Sequence, residues 1–177
     1  FKLKGDIKLK TCMLCEENSY LFIISDIGRI IKLKITEKNF PYMGKLAKGT
    51  SIIRLFPGEK IIDALNIKET QLKDLILITS NGSFIKQDAK KIKISKKGEL
   101  GTIGITFQNK KSIKNKVINC FINNKYIYIK TNKERYEKLD TDQININSYG
   151  KEKKLNIKFN EDEFIKSIYS TIVPENN

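Results

Sequence analysis

The chain has 177 residues, 40% of them hydrophobic, enough for one sizeable domain or one repeat array. No run of about 18 apolar residues occurs and the Lys-alternating N-terminus does not read as a secretory signal, so neither a membrane helix nor export is expected. Lys and Arg number 34 against 20 acids, a net charge of +14, and a chain this basic points to a polyanionic partner.

The first element in chain order is "DIKLKTCMLC" at 6–15, which reads as a strand. It carries Cys12 and Cys15 as a C-x-x-C. A zinc site needs about four ligands, and the sequence offers no His and only Cys120 besides, so buried free thiols are expected and no metal. Next comes "LFIISDIGRIIKLK" at 21–34, two apolar runs around a turn, with Gly28 supplying the positive φ that a tight turn needs. A loop containing "GKLAKG" follows at 44–49, then "GTSIIRLF" at 49–56 and a strand in "EKIIDALNIK" at 59–68.

The same order then repeats. "LILITSNGSFIKQD" at 75–88 copies the hairpin 54 residues later, with Gly82 at the turn. "GTIGITF" at 101–107 matches "GTSIIRLF", and "KNKVINCFIN" at 114–123 supplies the next strand. The third copy is worn. "YIYIKTNKERYEKL" at 126–139 keeps the apolar run, but Lys133 is read at the glycine position, so Asn132 in the left-handed region or a longer loop is expected there. "KKLNIKF" at 153–159 and "EFIKSIYSTIV" at 163–173 complete it. Helix signals are weak, and only 132–143 suits a short turn of helix.

A unit of about 50 residues with four strands is the pattern of a propeller-like blade, which buries its faces only by stacking on neighbours. The expected fold is all-β, one domain over 1–177, with repeat units near 6–58, 59–110 and 111–173. The start at Phe1, in mid-cycle, fits a cut upstream.

Charge divides unevenly along this array. Residues 1–60 carry 12 basic and 6 acidic side chains, 61–120 carry 12 and 5, and 121–177 carry 10 and 9. That distribution favours a basic face built by the first two units. Its candidates for phosphate contact are Arg29, Lys32, Lys34, Lys38, Lys45, Lys48 and Arg54 in the first unit, and Lys86, Lys90, Lys91, Lys93, Lys96 and Lys97 in the second. Arg is scarce, which suits sequence-independent contact more than base readout. "NEDEF" at 160–164 with Glu134, Glu137, Asp140 and Asp142 makes the third unit nearly neutral, so the polyanion is expected to leave the basic face before it. With no His, no paired-carboxylate spacing and no phosphate loop, no catalytic residue and no cofactor are assigned.

The hairpin pattern, followed by a Gly- and Lys-rich loop and then G-[TK]-x-x-x-apolar, resembles the C-terminal domain of the A subunit of bacterial type IIA topoisomerases, the family of DNA gyrase and topoisomerase IV. The pieces that carry it are "LFIISDIGRIIKLK", "MGKLAKGTSIIRLFPGEKIIDAL" and "LILITSNGSFIKQD" with "GELGTIGITF". The resemblance is strong over 9–108 and loose over 109–173. It implies a β-pinwheel of three to four four-stranded blades, open or incomplete as a ring, with strands exchanged between neighbours. It also implies duplex DNA bent around a basic rim, and presentation of that DNA to the N-terminal cleavage core of the same polypeptide. The ATPase B subunit would be a further partner and the cytoplasm the setting. The catalytic tyrosine of such proteins lies in their N-terminal part, so none of the seven Tyr here takes that role. Gyrase's Q-R-R-G-G-K-G box is missing, although its aligned place falls before Phe1, and "LFPGEKIIDAL" resembles the topoisomerase IV version of that turn. Topoisomerase IV is therefore favoured over gyrase, and a protein-interaction propeller without a nucleic-acid role is the remaining alternative.

Overall fold

The computed structural model describes residues 8–107, 115–122, 125–144, 150–151, 153–155 and 157–170. In chain order the strands are β1 (Tyr20–Ser25), β2 (Arg29–Lys34), β3 (Ile61–Ile67), β4 (Asp74–Thr79), β5 (Ser83–Asp88), β6 (Thr102–Ile103), β7 (Ile105–Thr106) and β8 (Val117–Ile122). They continue as β9 (Tyr126–Thr131), β10 (Tyr136–Asp140), β11 (Gly150–Lys151), β12 (Lys153–Lys154) and β13 (Ile165–Ser170). Glu69–Gln71 and Thr141–Gln143 are single 3₁₀ turns, the latter being all the helix found in 132–143. No helix of the described residues is long and apolar enough to cross a membrane.

The hairpins form as their turns require. Gly28 (φ 82°) donates to Ser25 O and Gly82 (φ 77°) to Thr79 O. A Cβ at Gly28 would overlap the Ile105 side chain, and one at Gly82 the Phe159 ring, so close approach of the next unit as well as φ demands glycine. In the third turn Glu134, not Asn132 or Lys133, takes the left-handed place at φ 60°, donating to Thr131 O. The worn copy is thus in register with the other two: Thr131, Glu134 and Arg135 stand where Ser25, Gly28 and Arg29 do.

The sheets cut across the repeat units. Blade one has strand order β3-β1-β2-β6 and blade two β12-β5-β4-β8. In each, the hairpin belongs to one unit, the strand beside its first arm opens the next unit, and the strand beside its second arm is lent by that next unit's Gly-Thr or Lys-Lys segment. Thr102 lies opposite Ile30, and Lys153 opposite Phe84. Blade three has three described strands, ordered β10-β9-β13.

The expected strand at 6–15 is not found over its described residues 8–15. By the repeat's own logic it would pair with the hairpin of a preceding blade, and β1, the nearest strand, is already flanked by β2 and β3. Cys12 and Cys15 are accordingly exposed rather than buried; Cys120 in β8 is buried, and burial pushes its thiol pKa up.

Blades stack face to face, so the inner strands are buried on both sides and lose the apolar–polar alternation of a half-exposed strand. Phe22, Ile24 and Ile30 of blade one meet Leu75, Leu77 and Ile85 of blade two. Ile76, Ile78 and Phe84 of blade two meet Ile127, Ile129 and Ile168 of blade three. The opposite face of blade one, Leu21, Ile23, Ile31 and Leu33, is covered by Met13, Phe40 and Ile52. Alternation returns in β9, where buried Ile127 and Ile129 interleave with half-buried Tyr126, Tyr128 and Lys130 on the outer face of the stack.

Candidate nucleic-acid interface

The thirteen candidate cations fall into three environments. Lys38, Lys45, Lys48 and Arg54 of the first unit and Lys90, Lys91, Lys93 and Lys96 of the second are exposed. Lys34, Lys86 and Lys97 are half-buried; the Lys86 ammonium sits 3.4 Å from Asp74 Oδ2 and donates to Thr141 O at 3.1 Å. Arg29 and Lys32 are buried, at 5% and 3% exposure.

The loop cations are carried on adjoining backbone. The loop after β5 is fastened to the first unit by Ser95 N–H to Lys32 O, Gly98 N–H to Ile52 O, and Arg54 N–H to Glu99 O. Ile53 and Glu99 form a parallel bridge. These bonds set Arg54 beside the loop that carries Lys93, Lys96 and Lys97. The loop after β2 is braced at its base, where Asn39 Nδ2 donates to Lys34 O and Phe40 N–H to Thr36 O. No acid interrupts 89–98, and Glu99 is turned back onto Lys96 N–H. The result is a ridge of cations with few local counter-charges, the electrostatic form suited to phosphate.

The two buried cations hold this ridge together and are not free to meet a ligand, contrary to the reading from sequence. Lys32 donates to Ala89 O at 2.8 Å, and its ammonium lies 4.7 Å from the Tyr20 ring centroid and 5.6 Å from that of Phe22. Burial lowers its pKa, against the raising influence of Asp88 and Glu69. It therefore pins the start of the second basic loop to blade one. Arg29 clamps Glu59 through both its Nε and Nη2, and also donates to Leu100 O and Arg54 O. Its guanidinium carbon lies 4.4 Å from the Phe56 ring centroid. Burial pushes the Glu59 carboxyl up, but hydrogen bonds from Arg29, Ser25 and the Phe56 N–H outweigh it and hold the pKa below the usual value.

Blade three repeats the clamp, which the sequence reading missed. Arg135 Nε and Nη2 donate to the two oxygens of Glu163, and Nη2 donates to Lys158 O. Glu163 also accepts from Asn160 N–H, as Glu59 does from Phe56 N–H. Asp162 (φ 57°) stands where Gly58 (φ 78°) does. "NEDEF" is thus first a turn and an arginine partner. The signal was available: an Arg directly after each of two turns, and a Glu 30 or 28 residues later. Blade two has Ser83 at this place.

Hydrogen bonds from Arg135, from Asn160 N–H and from Thr131 take Glu163 from its ordinary 4.5 down to about 2. A carboxylate with a lowered folded-state pKa stabilises above its unfolded pKa, and that contribution fades as pH falls toward the folded value. Glu163→Gln is expected to lower the melting temperature at neutral pH. The gap from the parent should close as pH falls from 4.5 toward 2, as thermal melts at stepped pH would show. A gap independent of pH would remove the ion pair from the account.

A second ionic contact joins the blades. Asp26 in the first turn is 4% exposed; its Oδ1 accepts from Lys60 N–H at 2.9 Å and its Oδ2 lies 2.6 Å from Lys116 Nζ. Among the described residues no group of His, Cys, Asp and Glu is arranged to hold a metal ion.

A family model described as DNA gyrase C-terminal domain, beta-propeller, matches residues 19–68 and 73–116, more than half of the chain. The gyrase A protein of Brachyspira hyodysenteriae is 29% identical over 112 residues, which are 61% of this chain and 13% of that protein. Among solved structures, a C-terminal domain of DNA topoisomerase IV superposes with a TM-score of 0.81 at 16% identity, over 96% of this chain and 51% of the other. A DNA gyrase A C-terminal domain gives 0.65 at 18% identity, over 96% and 54%. The E. coli ParC C-terminal domain gives 0.62 at 15%, over 88% and 63%. The chain therefore spans a small part of the gyrase A protein and between half and two thirds of these solved domains. The structural likenesses bear on the fold, which is the β-pinwheel expected.

Proposed function

The chain belongs to the DNA gyrase C-terminal domain, beta-propeller family, and from that premise we propose that it binds duplex DNA without sequence preference and bends it along its basic loops. In this reading it is an accessory domain that presents DNA to the cleavage core of a cytoplasmic type IIA topoisomerase, working with the ATPase subunit of the same enzyme. The observation that carries the proposal is the ridge of exposed cations at Arg54, Lys90, Lys91, Lys93 and Lys96, with the second basic loop bonded to the segment that carries Arg54. Bending a stiff duplex over one site costs on the order of 1–6 kcal/mol, which only a track of several phosphate contacts offsets.

A topoisomerase IV enzyme is favoured because "LFPGEKIIDAL" at 55–65 resembles the topoisomerase IV version of that turn. Gyrase is the second reading, favoured by the identity to a gyrase A protein. The test common to both is affinity for a plain duplex of arbitrary sequence. It should fall steeply and linearly on a log–log plot against salt. Binding that is absent, or insensitive to salt, would leave a protein-interaction propeller instead.

A further inference from the structure

The ridge of cations crosses the junction between blades one and two, and its parts ride on different blades. Ala89 N–H donates to Lys73 O, and the N–H groups of Lys90 and Lys91 donate to Asp88, so Lys90 and Lys91 belong to blade two. From Ser95 onward the loop is bonded to Lys32 O and Ile52 O, so Lys96 and Lys97 belong to blade one. At the turn end of the hairpins, main-chain bonds fasten the two sides together. Val117 N–H donates to Asp26 O, the N–H groups of Gly104 and Ile105 donate to Gly28 O, and Lys116 Nζ lies on Asp26. At the ridge end the polar link from strand to loop is a side chain: Lys32 Nζ donates to Ala89 O at 2.8 Å and lies 3.4 Å from Lys90 O.

The same junction holds a buried polar group without a partner. Gln87 in β5 is 5% exposed, and neither its Nε2 nor its Oε1 has a hydrogen-bond partner among the described residues. Register makes it the counterpart of Leu33 in blade one and Leu139 in blade three, since Leu21, Leu75 and Ile127 lie opposite these three. It shares a strand face with Ile85, which belongs to the core between blades one and two. A buried amide with no partner weakens the packing around it by its uncompensated desolvation. A cleft lined by Tyr20, Lys32, Glu69, Leu72, Lys90 and Ile94 opens at this junction as well. The junction between blades two and three differs at each of these points. Lys86 stands where Lys32 does, but Asp74, at the place of Tyr20, lies 3.4 Å from its ammonium and offsets the charge. Leu139, at the place of Gln87, packs against the core of that junction.

We propose that the junction between blades one and two is a hinged seam, which opens at the ridge end in the free chain and is held shut by a bound duplex. The pivot is the turn end, where the Asp26 and Gly28 bonds stay made. Two forces work against closure: the unpaired Gln87 amide, and repulsion between the cations carried on the two sides. Opening returns both Gln87 and the Lys32 ammonium to water. A duplex lying along the ridge sets phosphates against both sides at once, removes the repulsion and bridges the seam. The track is therefore compliant when empty and stiff when loaded. The coupling to DNA rests on the reading of the ridge as a DNA track, whereas the seam itself does not.

Cys120 is a built-in reporter, because it is 2% exposed in the core shared by the two blades. In a Cys12→Ser, Cys15→Ser background, its reaction rate with a thiol reagent is measured at rising denaturant, first without DNA. Labelling through the seam should proceed at a rate that low denaturant does not change, whereas labelling through global unfolding rises steeply. Gln87→Leu should slow it on the order of tenfold, while the salt slope of duplex binding stays parental. Saturating duplex should slow the parent's labelling by about tenfold or more. Labelling that tracks global unfolding from the lowest denaturant overturns the seam, and so does a Gln87→Leu rate equal to the parent's. Labelling that stays fast under saturating duplex overturns the coupling to DNA and leaves the functional reading standing. A parent that binds no duplex overturns that reading and the coupling together, and the thiol rates then decide the seam alone. A Gln87→Leu chain that misfolds leaves the denaturant arm, which keeps Gln87, to decide.

Discussion

Replacing Arg29 by alanine should cost about 3–5 kcal/mol of stability, the usual consequence of stranding one member of a buried ion pair. The side chains of Arg29 and Glu59 are 6% and 1% exposed. Removing the guanidinium leaves the Glu59 carboxylate with only the Phe56 N–H and its Ser25 contact, and leaves Leu100 O and Arg54 O without their donor. The loss is also topological, because Leu100 introduces the strand that the second unit lends to blade one. Hydrogen exchange should therefore speed up first at Thr102–Ile103 and Ile30. Arg29→Met with Glu59→Leu should recover much of the loss, since an apolar pair of similar volume removes both charges together. The salt dependence of DNA binding by the folded variant should stay as in the parent. A variant with parental stability and a flatter salt slope would return Arg29 to the DNA track. Arg135→Ala should be milder, because its side chain is 34% exposed and water can replace its bonds.

Reversing three exposed lysines, Lys90→Glu, Lys91→Glu and Lys93→Glu together, should have the opposite signature. Stability should change little, because all three side chains are exposed. Duplex affinity should fall on the order of 100-fold at moderate salt, and the log–log salt slope should flatten by about 3, one unit per phosphate contact removed. The same reversal at Lys151, Lys153 and Lys154 should do far less, since the third unit carries 9 acids against 10 bases. Fluorescence anisotropy at several salt concentrations reads both quantities. Equal losses from the two triple variants would contradict the idea that DNA leaves the track before blade three.

The contrast between Arg29 and Lys90 shows where the sequence was legible. Both were read as surface charge, one correctly placed on an exposed loop and one not. The hairpins were plain because Gly28 and Gly82 mark tight turns between β-branched runs, and the pairings Ile24 to Ile30 and Ile78 to Phe84 close on them. The facing of Arg29 and Lys32 was not plain, because period-2 reasoning assumes one wet face. In β2 both faces are dry between stacked layers, so a cation there must find carbonyls, a carboxylate or rings. The third turn was misread by one residue because glycine was sought and the arginine after it was not; aligning Arg135 on Arg29 places Glu134 at the turn without a gap. The strand expected at 6–15 failed for a different reason. Its sequence is strand-like, but strands need a ladder partner, and the repeat assigns that partner to a preceding blade.

The most direct test of DNA bending is topological. Relaxed nicked circles are mixed with the chain, sealed by ligase and freed of protein, and their linking number is read on a gel. Wrapping of the bent duplex around the basic rim traps writhe and should shift the distribution progressively with protein concentration, and the Lys90, Lys91 and Lys93 reversal should abolish the shift. A distribution that stays centred on that of naked DNA when the circles are saturated with protein would contradict wrapping of the duplex around the basic rim.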